Sequence, residues 1–241
     1  MTINTSWWSP YMKRKEIMSN TAVTDELLEA LDYEHYWNGL STPMRDDVNP
    51  LSKEEKIEKI RSHFKSIMET LGMDLNDDSL QETPLRVAKM YVNEVFKGLD
   101  ADNKPAIKLF KNGYKYKEML VERDITVYSY CEHHFVPIIG KAHVAYISNG
   151  NVIGLSKINR LVEYYSKRPQ VQERLNEQIA RALIEVLKTE DVAVIIDAEH
   201  LCVKSRGIQD TASSTVTASY HGKFKNETTR KEFLTYINLN A

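Results

Sequence analysis

The chain has 241 residues, 42% hydrophobic and 27% charged, with a formal net charge of −2, which is the balance of one or two globular domains with a real core. No apolar run approaches the roughly 20 residues that span a bilayer, and the first residues lack the apolar stretch of a secretory signal. A charge this close to zero gives no broad reason to expect nucleic acid. These features point to a cytoplasmic protein whose two cysteines, Cys131 and Cys202, stay reduced rather than forming a disulfide framework.

Residues 1–50 read as an extension. They hold all three tryptophans, Trp7, Trp8 and Trp37, which are expected to anchor on the chain's own body. A short helix is predicted from Asp25 to about Trp37, between irregular flanks at Ser9-Pro10, Thr42-Pro43 and Asn49-Pro50. Residues 51–105 read as helical. Ser52 and Glu55 form a capping box, Ile57, Ile60, Phe64, Ile67, Met68 and Leu71 recur at helical spacing, and Gly72 stops the helix. A second helix opens at Thr83-Pro84, cap and then first-turn proline, and runs to about Leu99. A polar connector follows.

Residues 106–241 change period. Residues 125–130 and 141–147 read as strands, and Asn149-Gly150 as a hairpin turn leading from the second of them into residues 151–156. Helices are predicted from Ser156 to about Ser166 and from Val171 to about Leu187. Strands at 192–197 and 211–220 and a short helix near Thr229–Tyr236 complete the chain. Paired strands and paired helices in this order indicate an α+β fold built on an antiparallel sheet.

The motif "YCEHHFVP" (130–137) carries the chemistry. Cys131 and His134 stand at a spacing suited to a metal, and both are preferred zinc ligands. With Cys202 as a third ligand, one position stays open, which is the arrangement of catalytic zinc. The competing reading makes both cysteines small buried hydrophobes. His133 is a natural proton shuttle beside such a centre. His200 precedes Cys202 by two residues and, in a strand, would share its face. Each histidine alone could equally be structural; His35, His63, His143 and His221 have no such company.

A second set is basic. Ser156, near a helix start, with Lys157 and Arg160, could hold an anion at the helix N-terminus. Lys204 and Arg206 follow Cys202, and Arg86 and Lys89 sit three apart on the second helix. The alternative is solvated surface charge. No phosphate-binding G-x-x-x-x-G-K-[ST] loop is present. Gln172 and Glu173 open a helix. Glu173 reads as ordinary N-terminal capping, with a purine N–H edge as its alternative partner.

The stretches "ETPLRVAKMYVNEVFKGL", "CEHHFVPIIGKAHVAYI", "VIGLSKINRLVEYYSKRPQVQERLNEQIA", "HLCVKSRGIQD" and "TRKEFL" together resemble the GTP cyclohydrolase I family, from about residue 52 to the C-terminus. The resemblance implies Cys131, His134 and Cys202 as zinc ligands, His133 as catalytic histidine and His200 as its partner near the purine. It implies Glu173 as the guanine anchor helped by Gln172, against the capping reading. Ser156, Lys157, Arg160 and Arg206 would contact ribose and triphosphate, with Arg86 and Lys89 reaching the triphosphate as well. The implied fold is the tunnelling fold, an antiparallel sheet with two helices on one face, preceded by N-terminal helices. The implied assembly is a toroidal homodecamer of two pentamers with sites between subunits. The implied reaction is zinc-dependent hydrolysis and rearrangement of GTP to 7,8-dihydroneopterin triphosphate with release of formate, the first step of folate and pterin biosynthesis. A base deaminase would instead show H-x-E with P-C-x-x-C, which is missing here. A non-catalytic purine-binding scaffold is the other alternative.

Overall fold

In the computed structural model the described residues are 41–45 and 51–238. The helix expected between Asp25 and Trp37, and the three tryptophans, lie outside them. Two units are distinguished, Met1–Pro43 and Met44–Ala241, and the elements described here belong to the second.

Helix α1 spans Lys53–Thr70. Its capping box forms as predicted: Glu55 N–H donates to Ser52 Oγ at 3.2 Å, and Ser52 N–H donates to Glu55 Oε2 at 2.8 Å. Gly72, at φ +79°, takes the left-handed conformation that ends the helix. The apolar stripe is only partly covered. Met68 is buried, whereas Ile67 is 53% and Leu71 73% exposed.

Helix α2 covers Thr83–Met90, one residue earlier than predicted, with Glu82 rather than Thr83 preceding it and no side-chain cap. It also ends before Leu99. A wide turn at Tyr91–Val95 follows, then a tight 3-10 turn at Lys97–Leu99. The cause is Gly98. Its N–H donates to Lys167 O at 2.8 Å, and a Cβ there would lie 2.1 Å from Tyr164 O. The chain must leave helical geometry to make this approach, and the wide turn absorbs the difference. Phe96 is thereby aimed at Tyr91, Tyr130 and Phe135, at ring separations of 5.3, 5.6 and 5.0 Å.

The expected polar connector contains a short strand, β1 (Leu109–Lys111). Strands β2 (Met119–Cys131) and β3 (Pro137–Ile147) pair antiparallel, followed by β4 (Asn151–Ile153), helix α3 (Leu155–Ser166), β5 (Pro169–Gln170) and helix α4 (Gln172–Leu187). Then come β6 (Val192–His200), the single-turn helix α5 (Leu201–Lys204), β7 (Thr215–Tyr220) and helix α6 (Glu227–Ile237). The main sheet has the order β5-β2-β3-β6-β7 and is antiparallel except for the two-residue β5, which runs parallel to β2.

The hairpin expected at Asn149-Gly150 does not form: β4 pairs with β1 instead of β3. Both edges of β3 are already taken, by β2 on one side and β6 on the other, so β4 has no edge to join.

The fold is α+β with two helices on one face of the sheet, as predicted. Residues alternate along β6 with the strand period of two. Val192, Val194 and Ile196 join Ile158, Leu161, Leu175, Ile179 and Leu183 of α3 and α4 in the main core. Ala193 and Ile195 face the other way, onto Phe224 and Phe233.

Candidate active site

Four strand ends meet at one end of the sheet. Cys131 closes β2 beside Gln170 of β5, Tyr130 pairs with Pro137, and Ile138 pairs with His200, the last residue of β6. The turn from β2 to β3 is tight. Cys131 N–H donates to Val136 O at 2.9 Å, Phe135 N–H to Cys131 O at 2.8 Å, and Phe135 takes φ +52°. That turn displays His133 and His134.

The ligand atoms of Cys131, His134 and Cys202 lie within 4.8 Å of one another. A tetrahedral zinc, with Zn–S about 2.3 Å and Zn–N about 2.0 Å, sets its ligand atoms roughly 3.6–3.8 Å apart. Cys131 Sγ and His134 Nδ1 are 3.9 Å apart. His133 Nδ1 is as close to that sulfur, at 3.7 Å, but it is not part of the three-residue group that also reaches Cys202. Burial and the adjacent Cys131 push the Cys202 thiol up. Two thiolates crowded this way call for a cation, which reverses that preference. The donor set therefore fits zinc.

Cys202 arrives by a route the sequence pattern misjudged. Strand β6 ends at His200, and Cys202 sits on α5, so the two residues do not share a strand face. The helical turn brings Cys202 to Cys131, while His200 Nε2 meets Gln172 Oε1 at 2.7 Å. Burial lowers the His200 pKa and the charge of Glu173 partly offsets this, so the imidazole is held towards its neutral form. Glu173 is exposed in the first turn of α4, whereas Gln172 is buried beside it.

The sequence reading missed a bidentate ion pair: Arg174 donates to both carboxylate oxygens of Glu132, at 2.5 and 3.3 Å. With Glu132 N–H donating to Gln170 O at 3.0 Å, it ties the His133–His134 turn to α4. The signal was an acid inside the metal motif and an arginine one residue past Glu173, but only the fold shows that they meet.

The basic set is divided. Arg206 is near enough to Cys202 to act on it electrostatically. Ser156, Lys157 and Arg160 are not gathered there. Gly154 precedes α3, and Ser156 is its second residue rather than its cap. Helix α3 begins just after β4 and ends beside β5, so its first turn lies at the end of the sheet opposite Cys131. Helix α3, which carries them away from the Cys131 end, has twelve residues, roughly 18 Å at ~1.5 Å per residue. Arg86 and Lys89 are exposed on α2, and Lys204 is engaged with Glu199 at 3.0 Å.

An open Cys₂His set, flanked by two histidines and a carboxylate at a helix N-terminus, is the layout of a metal-assisted hydrolase. The comparisons narrow that class. The family model described as GTP cyclohydrolase I matches residues 60–238, and the chain belongs to that family. It is similar to GTP cyclohydrolase 1 of Flavobacterium johnsoniae, 57% identical over 217 residues, 90% of this chain and 97% of the relative. That match is too long to leave all of residues 1–50 outside it. GTP cyclohydrolase 1 of Aeromonas salmonicida and of Vibrio parahaemolyticus are each 56% identical over 197 residues, 81% of this chain and 89% and 90% of theirs. No helix among the described residues is long and apolar enough to cross a membrane.

Proposed function

We propose that the chain carries out zinc-dependent conversion of GTP to 7,8-dihydroneopterin triphosphate with release of formate, opening folate and pterin biosynthesis in the cytoplasm. The observation that carries this reading is the convergence of Cys131, His134 and Cys202 to within 4.8 Å. Zinc held there supplies Lewis acidity and makes water reactive near neutral pH.

The remaining steps belong to side chains. Glu173, at the positive end of α4, accepts from guanine N1–H and N2–H₂. Adenine presents the wrong donors and leaves that carboxylate unpaired, so it is rejected. His133, with its side chain 65% exposed, is free to deliver a proton to N7 as the five-membered ring opens. Arg206, Lys157, Arg160, Ser156, Arg86 and Lys89 hold ribose and triphosphate, which anchor the substrate away from the reacting carbon.

The separation of Ser156, Lys157 and Arg160 from Cys131 supports a site completed by another copy of the chain. Two further observations agree with a toroidal homodecamer of two pentamers. Strand β7 ends the sheet on one side, and β2 is covered on the other only at Tyr130 and Cys131 by β5, which suits ring closure through strand edges. The apolar residues Ile67 and Leu71 on α1 are left exposed. The domain reading follows: an extension at 1–50, helices at 51–105 and a catalytic tunnelling-fold domain at 106–241.

The test is formate release from GTP by purified protein, with chelator and then with zinc restored. Formate that stops and returns supports the reading. No formate from zinc-loaded oligomer refutes it and favours a purine-binding scaffold.

A further inference from the structure

Gln172 opens α4 and is 2% exposed. Its amide nitrogen lies 3.0 Å from Ile196 O, 2.8 Å from Thr215 O and 3.2 Å from Thr217 Oγ1. Two of these partners are main-chain carbonyls, which only accept. The atom facing them must therefore be the NH₂ group, whichever way the amide is drawn. That orientation turns Oε1 towards His200 Nε2, 2.7 Å away. An amide oxygen also only accepts, so the proton in this contact belongs to His200 Nε2.

We infer that Gln172 is a positioning residue that fixes a proton on His200 Nε2 and so leaves Nδ1 as the ring atom that faces away from the lock. Among the described residues no hydrogen bond reaches that Nδ1. The lock is rigid because its far end is held by the backbones of two strands, β6 at Ile196 and β7 at Thr215. A glutamate could not replace it, since one carboxylate oxygen would face two carbonyls. Gln172 thus spends its polar atoms inside the protein instead of on the purine.

The catalytic meaning rests on the proposed reaction. In it, His200 enters as a proton acceptor: an O–H or N–H bond of the bound nucleotide breaks, an N–H bond forms at Nδ1, and the imidazolium later returns that proton. His133 and His200 then have opposite opening roles, donor and acceptor. The tautomer itself is independent of any substrate.

Solid-state ¹⁵N NMR of histidine-labelled, zinc-loaded protein at about pH 8.5, two units above the ordinary histidine value of ~6.5, reads the tautomer directly. The His200 signals are assigned by their loss in His200→Asn. The expected result is a protonated Nε2 and a bare Nδ1 in the wild type, and a mixture of tautomers in Gln172→Met, which keeps length and volume but loses both polar ends. Steady-state kinetics of Gln172→Met are expected to show kcat down about 10²-fold, the usual worth of a placed acid or base, with KM for GTP little changed. A wild-type Nδ1–H tautomer overturns the proposal. So does a variant whose KM rises at unchanged kcat, because that is the mark of a lost purine contact. The wild-type spectrum needs neither turnover nor a variant of Gln172, so a failure of the proposed reaction is told apart from a failure of the lock.

Discussion

Arg174→Met removes the partner of Glu132 while keeping most of the side chain's bulk. The pair is bidentate, at 2.5 and 3.3 Å, and its side chains are only 13% and 23% exposed. Water can therefore replace the guanidinium only in part. Hydrogen bonds to charged groups are worth about 1.5–3 kcal/mol, and a fully buried broken pair costs more. The partial exposure of Glu132 places the loss at about 2 kcal/mol. Glu132 stands between Cys131 and His133, so a loosened carboxylate loosens the turn that presents His134. Groups that orient metal ligands typically matter 10–100-fold in affinity, and the lower end is expected here because the backbone bonds of the turn remain. The assays are competition for zinc with a chromophoric chelator and thermal unfolding of the zinc-loaded protein. A melting temperature lowered by several degrees and zinc affinity down about 10-fold are expected. Wild-type zinc affinity with an unchanged melting temperature would refute the claim that this pair holds the turn.

His133→Ala is expected to keep zinc and bind GTP but lose turnover by 10²-fold or more; wild-type rates would remove the role assigned to it. Cys202→Ala is expected to lose zinc on gel filtration, and full retention measured by elemental analysis would mean that the ligand set is wrong. The third concerns acid. Burial of Glu177 alone would raise its pKa, but bonds to His221, Arg181 and Ser219 outweigh this and bring it from 4.5 to about 2. A depressed carboxylate stabilises the fold fully above its unfolded value, and that contribution is lost as pH falls from about 4.5 to 2, here about 3 kcal/mol. Glu177→Gln should flatten the acid limb of stability against pH across that window; an unaltered limb would show that the cluster contributes nothing.

The candidate site was legible in unusual detail, and for a local reason. Cys131, His133 and His134 sit within four residues of one another, so a single turn presents them wherever the rest of the chain goes. The strand at residues 141–147 and the stripe from Ile57 to Leu71 likewise depend only on the period of a strand and of a helix. The Ser52–Glu55 box closed because both bonds lie within its own first turn.

What failed was non-local. The hairpin at Asn149-Gly150 depended on an edge of β3 that two other strands had taken. The second helix was cut short by Gly98, whose approach to the end of α3 has no trace in the sequence around it. Cys202 was placed on a strand because nothing near it says that β6 stops at His200. Sequence determined which atoms could hold a metal, since ligand chemistry is a property of the residue. Tertiary structure decided which of them meet, that Glu132 is tied to Arg174, and that Ser156, Lys157 and Arg160, at the start of α3, are carried away from Cys131. Those are distances between segments far apart in the chain, set by strand order and register, and no short stretch of residues encodes them.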